Sequence, residues 1–245
     1  MTGPTKAQAA GSRFRQTSSG LYVPSEVDEA VVEQRIFEQG HRIRCYGAVT
    51  GWAALRWHGV RYCDGSGADE QLSQPVPLVV GRHPLRPDPR ITISNAQIAN
   101  TERLRRRGIW CTTVQRALFD ELRFMRSRRE AVVLLDMAAA ARVISVQLFA
   151  LYVAVRPAWT GVPFVRRVLP IASDHSRSPQ ESRMRLVWVI DAALDPPLCN
   201  VPVFDRRGRL LGYPDLLDPV AGVVGEYDGA DHRSRDRRQA DITRE

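Results

Sequence analysis

The chain has 245 residues, 44% of them apolar and 25% charged, enough for one large or two small buried cores and ordinary for a globular protein. It holds no run of roughly 18 apolar residues and no charged-then-apolar leader pattern, so neither a membrane span nor secretion is supported. The net charge of +8, with a pI near 9.9, favours a polyanionic partner.

Lys6 is the only lysine, so 34 of the 35 basic residues are arginines. The planar arginine fork suits phosphate. A GC-rich genome would also write Arg for Lys, but that does not explain the net charge. Cys45, Cys63, Cys111 and Cys199 lie far apart and form no CxxC pair. This argues against a zinc site or disulfide framework and for a reducing, cytoplasmic setting.

In chain order, residues 1–22 are mostly small and polar, without periodicity up to Gly20, and read as a disordered arm. Residues 27–40 carry apolar groups at helical spacing and end on a glycine cap. Residues 48–60 read as a second helix, capped by Thr50 and stopped at Gly59. Short β-branched runs among prolines over residues 75–94 predict two strands joined by a Pro-rich turn. A further strand over 108–113 runs into one or two long helices, and residues 145–155 continue the helical content. Together residues 23–172 form a helix-rich domain, and the polar stretch from Ser173 marks its boundary.

The last domain, residues 173–245, opens with a helix whose start is signalled by Ser178 and Pro179. Strand-like pieces follow at 199–205, 209–217 and 222–228, separated by the turns RRG and DPVAG, and a polar helix covers about 233–245. The expected order is helix, three antiparallel strands, helix, and the fold class is α+β.

Alternation in the third strand puts Glu226 and Asp228 on one face. Pairing of the second and third strands would bring Asp215 near Glu226. Carboxylates converging at a strand edge form a hard-oxygen site suited to Mg²⁺, an ion able to activate water and offset charge on a phosphate. Glu181, at the helix start, is a further candidate carboxylate, and His232 is a candidate proton carrier. Each residue also has an ordinary reading: Asp215 as a turn residue, Glu226 and Asp228 as a solvated face, His232 as a surface group. Glu181 would be favoured by the helix dipole alone.

Residues 176–245 resemble the PD-(D/E)XK nuclease superfamily, in the branch that includes very-short-patch-repair endonucleases and related domains of unknown function. The carriers are ES.MR around Glu181, Pro214-Asp215, and EYDG..H from Glu226 to His232. The resemblance implies a restriction-endonuclease-like α-β-β-β-α core in which Asp215 and Glu226 bind metal and His232 assists proton transfer. It also implies a DNA-facing helix carrying Arg233, Arg235, Arg237 and Arg238. Two departures stand out. The nuclease lysine should sit two residues after Glu226, where this chain has Asp228, and the core would still lack its last strand, as if C-terminally truncated. GAVTGWAALRWHG, PVPLVV and RGIWCTTVQRALFDELR resemble the body of AbiEi-type antitoxins of type IV toxin–antitoxin systems. Those usually carry an N-terminal winged helix, whereas only one clear helix precedes Ala48 here.

The expected function is a Mg²⁺-dependent endonuclease-like activity on DNA, double-stranded, in a defence, repair or toxin–antitoxin setting. The alternative is a non-catalytic DNA-binding regulator with a degenerate nuclease-like domain.

Overall fold

The computed structural model describes residues 5–9, 11–43, 46–66 and 73–227, and its fold is α+β. A short helix, α1 (Lys6–Ala9), precedes a hairpin of β1 (Phe14–Ser18) and β2 (Leu21–Pro24), which turns through Gly20 at φ 75°. The segment read as a disordered arm thus contains an ordered strand pair. What holds it is remote in sequence: Arg15 pairs with Glu38 of α2 (Val32–Gly40) at 2.8 Å.

Ala48 and Val49, read as the start of a helix, form strand β3 (Ala48–Val49) instead. Helix α3 (Gly51–His58) follows and ends on Gly59 in the left-handed region, φ 110°. Thr50 occupies the cap position, but its hydroxyl donates to Asp120 Oδ2 at 2.8 Å. The Trp52 N–H is satisfied by Glu121 Oε2 at 2.8 Å, from another helix. Strands β4 (Val76–Val79) and β5 (Ile91–Ser94) pair in parallel, so the Pro-rich segment is a crossover and not a tight turn. Strands β6 (Arg103–Arg106) and β7 (Ile109–Thr112) form an antiparallel hairpin, of which only the second strand was expected. The five strands order as β5-β4-β3-β7-β6.

Helices α4 (Val114–Leu122), α5 (Arg128–Ala140) and α6 (Val146–Ala154) start on Thr113, Ser127 and Ser145, whose hydroxyls each accept a main-chain N–H three residues on. Residues 131–139 of α5 are all buried, the signature of a central helix. Against it pack α6, α7 (Val162–Val168) and α8 (Pro179–Leu186).

Beyond α8 the chain makes β8 (Leu198–Cys199), β9 (Val203–Phe204), β10 (Leu210–Gly212), β11 (Leu216–Asp218) and β12 (Val223–Gly225). These pair as the antiparallel sheets β12-β11-β8 and β10-β9. The first two expected strands are therefore each broken once, at Asn200 (φ 53°) and at the Pro214-Asp215 step. The expected turns hold, with Gly208 and Gly222 at φ 77° and 68°. Leu216 and Cys199 face each other on the buried side, while Leu198 and Val224 are exposed. The helix expected over 233–245 lies outside the described residues.

The joint between the helical body and this strand unit is ionic. Asp136, fully buried on α5, accepts from Ser173 N–H (2.7 Å), Ser182 Oγ (2.7 Å) and Arg185 (2.6 Å). Burial pushes its carboxyl pKa up, while Arg185, Ser173 and Ser182 pull it down. At the rim Arg183 pairs with Glu130 and Arg129 with Asp191. Asp136→Ala would strand the Arg185 charge in the interior, so urea denaturation should show a loss of about 3–5 kcal/mol. A loss below about 1 kcal/mol, the range of exposed pairs, would contradict this role.

Candidate functional site

In the strand unit one asparagine links Glu181, a sequence-identified carboxylate, to the backbone step that carries Asp215. Asn200 takes the left-handed conformation, which Asn tolerates better than most residues. Its side-chain amide donates to Glu181 Oε2 at 2.8 Å and to the His175 carbonyl at 3.0 Å, and its N–H donates to the Pro214 carbonyl at 3.1 Å. One residue thereby ties the start of α8 to the Pro214-Asp215 step. Glu181 is buried, and its Oε2 also accepts the Arg177 N–H at 2.8 Å. Among the described residues no group engages its other oxygen.

The pairs Leu216↔Gly225 and Leu217↔Val224 make Asp215 and Glu226 the next opposed positions just past the end of the β11–β12 ladder. Asp215 is half-buried and accepts the Tyr227 N–H through Oδ2 at 2.9 Å; it has no ion pair among the described residues. Glu226 is exposed. The Arg177 guanidinium lies over the Tyr213 ring, 6.0 Å from its centroid, bringing positive charge beside this step. Asp228, His232, Arg233, Arg235, Arg237 and Arg238 lie outside the described residues.

Among the described residues no three His, Cys, Asp or Glu side chains form a group that could hold a metal ion. The donors that are present suit Mg²⁺ in a narrower sense. That ion keeps several waters and is commonly held by one or two carboxylates plus substrate phosphate. Asp215 and Glu226 would be those carboxylates, and Glu181 is tied through Asn200 to the Pro214 carbonyl.

The front of the chain holds a second polar assembly that the sequence reading missed. Arg116, fully buried, pairs with Asp120 (2.9 Å) and Glu102 (2.7 Å), and Arg123 also pairs with Asp120 (2.9 Å). The Arg116 and Arg123 guanidinium groups stack on Trp159. Beside this assembly a cavity of about 410 Å³ opens at the start of α3, lined by Trp52, Pro77, Glu121 and Phe124 among others. Burial pushes the Glu121 carboxyl pKa up, opposed by the Trp52 N–H hydrogen bond. Gly51 gives it room, since a Cβ there would lie 2.5 Å from Glu121 Oε2. The i, i+4 spacing of Arg116 and Asp120 was a readable signal; their burial was not.

No known family model, curated protein or solved structure matches the chain, so the reading of its site rests on the residues and geometry above.

Two outcomes follow. Asn200→Gly keeps the left-handed backbone and loses only the side-chain bonds, whereas Asn200→Ala adds backbone strain. Both should lower stability in urea denaturation, Gly by about 1–2 kcal/mol and Ala by about 1 kcal/mol more; Ala matching wild type would refute the pin. Glu121, its folded pKa raised, contributes stability that is present below the unfolded carboxyl pKa and lost as pH rises through the folded one. Glu121→Gln keeps an acceptor for Trp52, so its stability relative to wild type should climb as pH rises above the ordinary glutamate pKa of about 4. Parallel pH–stability curves for the two proteins would contradict that assignment.

Proposed function

We propose that the chain is a Mg²⁺-dependent endonuclease-like protein acting on DNA phosphodiesters in a defence, repair or toxin–antitoxin setting. In this reading its strand unit is a PD-(D/E)XK-type core. The observation that carries it is the opposition of Asp215 and Glu226 just past the end of the β11–β12 ladder, with Glu181 pinned behind the Pro214-Asp215 step. A bound divalent ion would supply an activated water and stabilise charge on the phosphate. Asp215 and Glu226 would bind that ion, and Asn200 would fix the distance between Glu181 and the strand that carries Asp215. Arg177 would add positive charge where a phosphate approaches. His232 remains the proposed proton carrier and the arginines from Arg233 to Arg238 the proposed phosphate contacts.

A second reading, a DNA-binding regulator without catalysis, is favoured by one specific observation. Asp228 stands where the resemblance calls for lysine, and Lys6 is far away in sequence.

Supercoiled plasmid cleavage in Mg²⁺ or Mn²⁺, with an EDTA control, separates the two. The nuclease reading expects metal-dependent nicking. Asp215→Ala or Glu226→Ala should reduce it more than about 100-fold, the upper end of what loss of an outer partner costs a metal site. DNA binding should change little. Metal-independent binding by the wild type with no cleavage would sink the catalytic reading and favour the regulator.

A further inference from the structure

The β6–β7 hairpin concentrates cationic charge on a two-stranded ribbon. Residues 103–110 read RLRRRGIW, four arginines with no acid among them. The antiparallel ladder runs Arg103↔Thr112, Leu104↔Cys111, Arg105↔Trp110 and Arg106↔Ile109. Alternation therefore turns Leu104 toward the core, which it packs against, and places Arg103, Arg105 and Trp110 on the other face. The Arg103 guanidinium lies over the Trp110 ring at 5.2 Å, and that of Arg107 over Trp57 at 5.9 Å. Arg107 and Gly108 form the two-residue tip, both at positive φ (44° and 88°), as the tight turn of a twisted hairpin requires. The tip thus presents an exposed arginine on a narrow two-stranded ribbon.

Several of the chain's arginines are neutralised inside the fold, whereas three of the hairpin's are not. Arg116, Arg123 and Arg185 are each held by buried carboxylates. Arg105, Arg106 and Arg107 have no ion pair among the described residues. Glu102, just before β6, binds Arg116, Arg156 and the Tyr152 hydroxyl, and Glu33, which also feels the Arg107 charge, is hydrogen-bonded to Arg56. The bland account is that arginines on a terminal strand merely discourage strand-to-strand aggregation. That account explains Arg105 on the strand but not Arg107 at the tip, and it does not explain the stacking that holds the guanidinium groups over indole rings.

We infer that the β6–β7 hairpin is a docking surface for duplex DNA, contacting backbone phosphates through Arg105 and Arg107 at a groove. A two-stranded ribbon fits the major groove, and the Arg107 guanidinium, held over Trp57, meets phosphate with less ordering cost. The surface lies on the body of the protein and needs neither the metal site nor the arginines of residues 233–238. It deepens the DNA-directed reading by naming where the duplex is held.

The test is fluorescence anisotropy with a labelled random-sequence duplex, full-length protein and EDTA throughout, across a salt series. Arg105→Thr/Arg107→Asn removes both charges, and Asn suits the left-handed tip. Arg82→Ser/Arg86→Ser removes the same charge from exposed positions on the β4–β5 crossover, beside the opposite edge of the sheet. Matched circular dichroism and melting establish folding, and Arg105→Thr alone serves if the double variant fails to fold. The hairpin pair should weaken binding about tenfold or more near 0.1 M salt and flatten the log–log salt slope by about 2, one per lost phosphate contact. The single variant should flatten it by about 1, and the control pair should stay within about threefold of wild type. Equal loss in both pairs, no loss in either, or tighter wild-type binding to RNA or single strands than to duplex would overturn the proposal. Plasmid cleavage that persists unchanged in the hairpin variant would overturn it while leaving the nuclease reading intact.

Discussion

Asp136 carries the geometry of the strand unit, because it is the buried anion through which α8 is fixed to α5. Its three partners are the Ser173 N–H, before α8, and the Ser182 hydroxyl and Arg185 guanidinium on α8 itself. A carboxylate with no exposure is costly unless each of its bonds is made. The cluster therefore admits one seating of α8 against α5, whereas apolar contact alone would tolerate sliding. Glu181 rides on the same helix one residue before Ser182, so that seating also sets where Glu181 meets Asn200. From Asn200 the constraint passes to the Pro214 carbonyl, and from there to Asp215. Coupling of this kind makes the carboxylates near the β11–β12 ends a property of the whole helical body.

The same device recurs at the front. Asp120, Glu102, Arg116 and Arg123 form a paired network beneath the start of α3, and Thr50 and Glu121 connect it to that helix. A chain that writes nearly all its positive charge as arginine can bury part of it in planar, multiply bonded pairs and stacks. The remainder is left at the surface, and the β6–β7 hairpin is where the described structure groups it most densely.

Much of the framework was legible in the sequence because it rests on local chemistry. Ser178 with Pro179 starts α8, Gly59 stops α3, and Gly208 and Gly222 turn the strand unit, each through a conformational preference that a single residue expresses. The opposition of Asp215 and Glu226 followed from strand alternation and hairpin register. What could not be read depended on partners far away. Arg15 orders β1 through Glu38, which composition conceals. Ala48 and Val49 look helical in isolation but are taken by β4 and β7 as a strand. β6 hides because its exposed positions are arginines, which blur the period-two signal. Asn200 was passed over since nothing in CNVP announces that one side chain will bridge Glu181 and the His175 carbonyl.

The central claim is that Asp215 and Glu226 together hold a divalent ion. Iron(II) substituted for magnesium, with ascorbate and peroxide, generates radicals that cut the polypeptide beside the bound ion, and mass spectrometry maps the cuts. The account predicts scission confined to the neighbourhood of residues 213–216 and 225–227, suppressed by excess Mg²⁺. Cuts scattered along the chain, or clustered anywhere else, would contradict it.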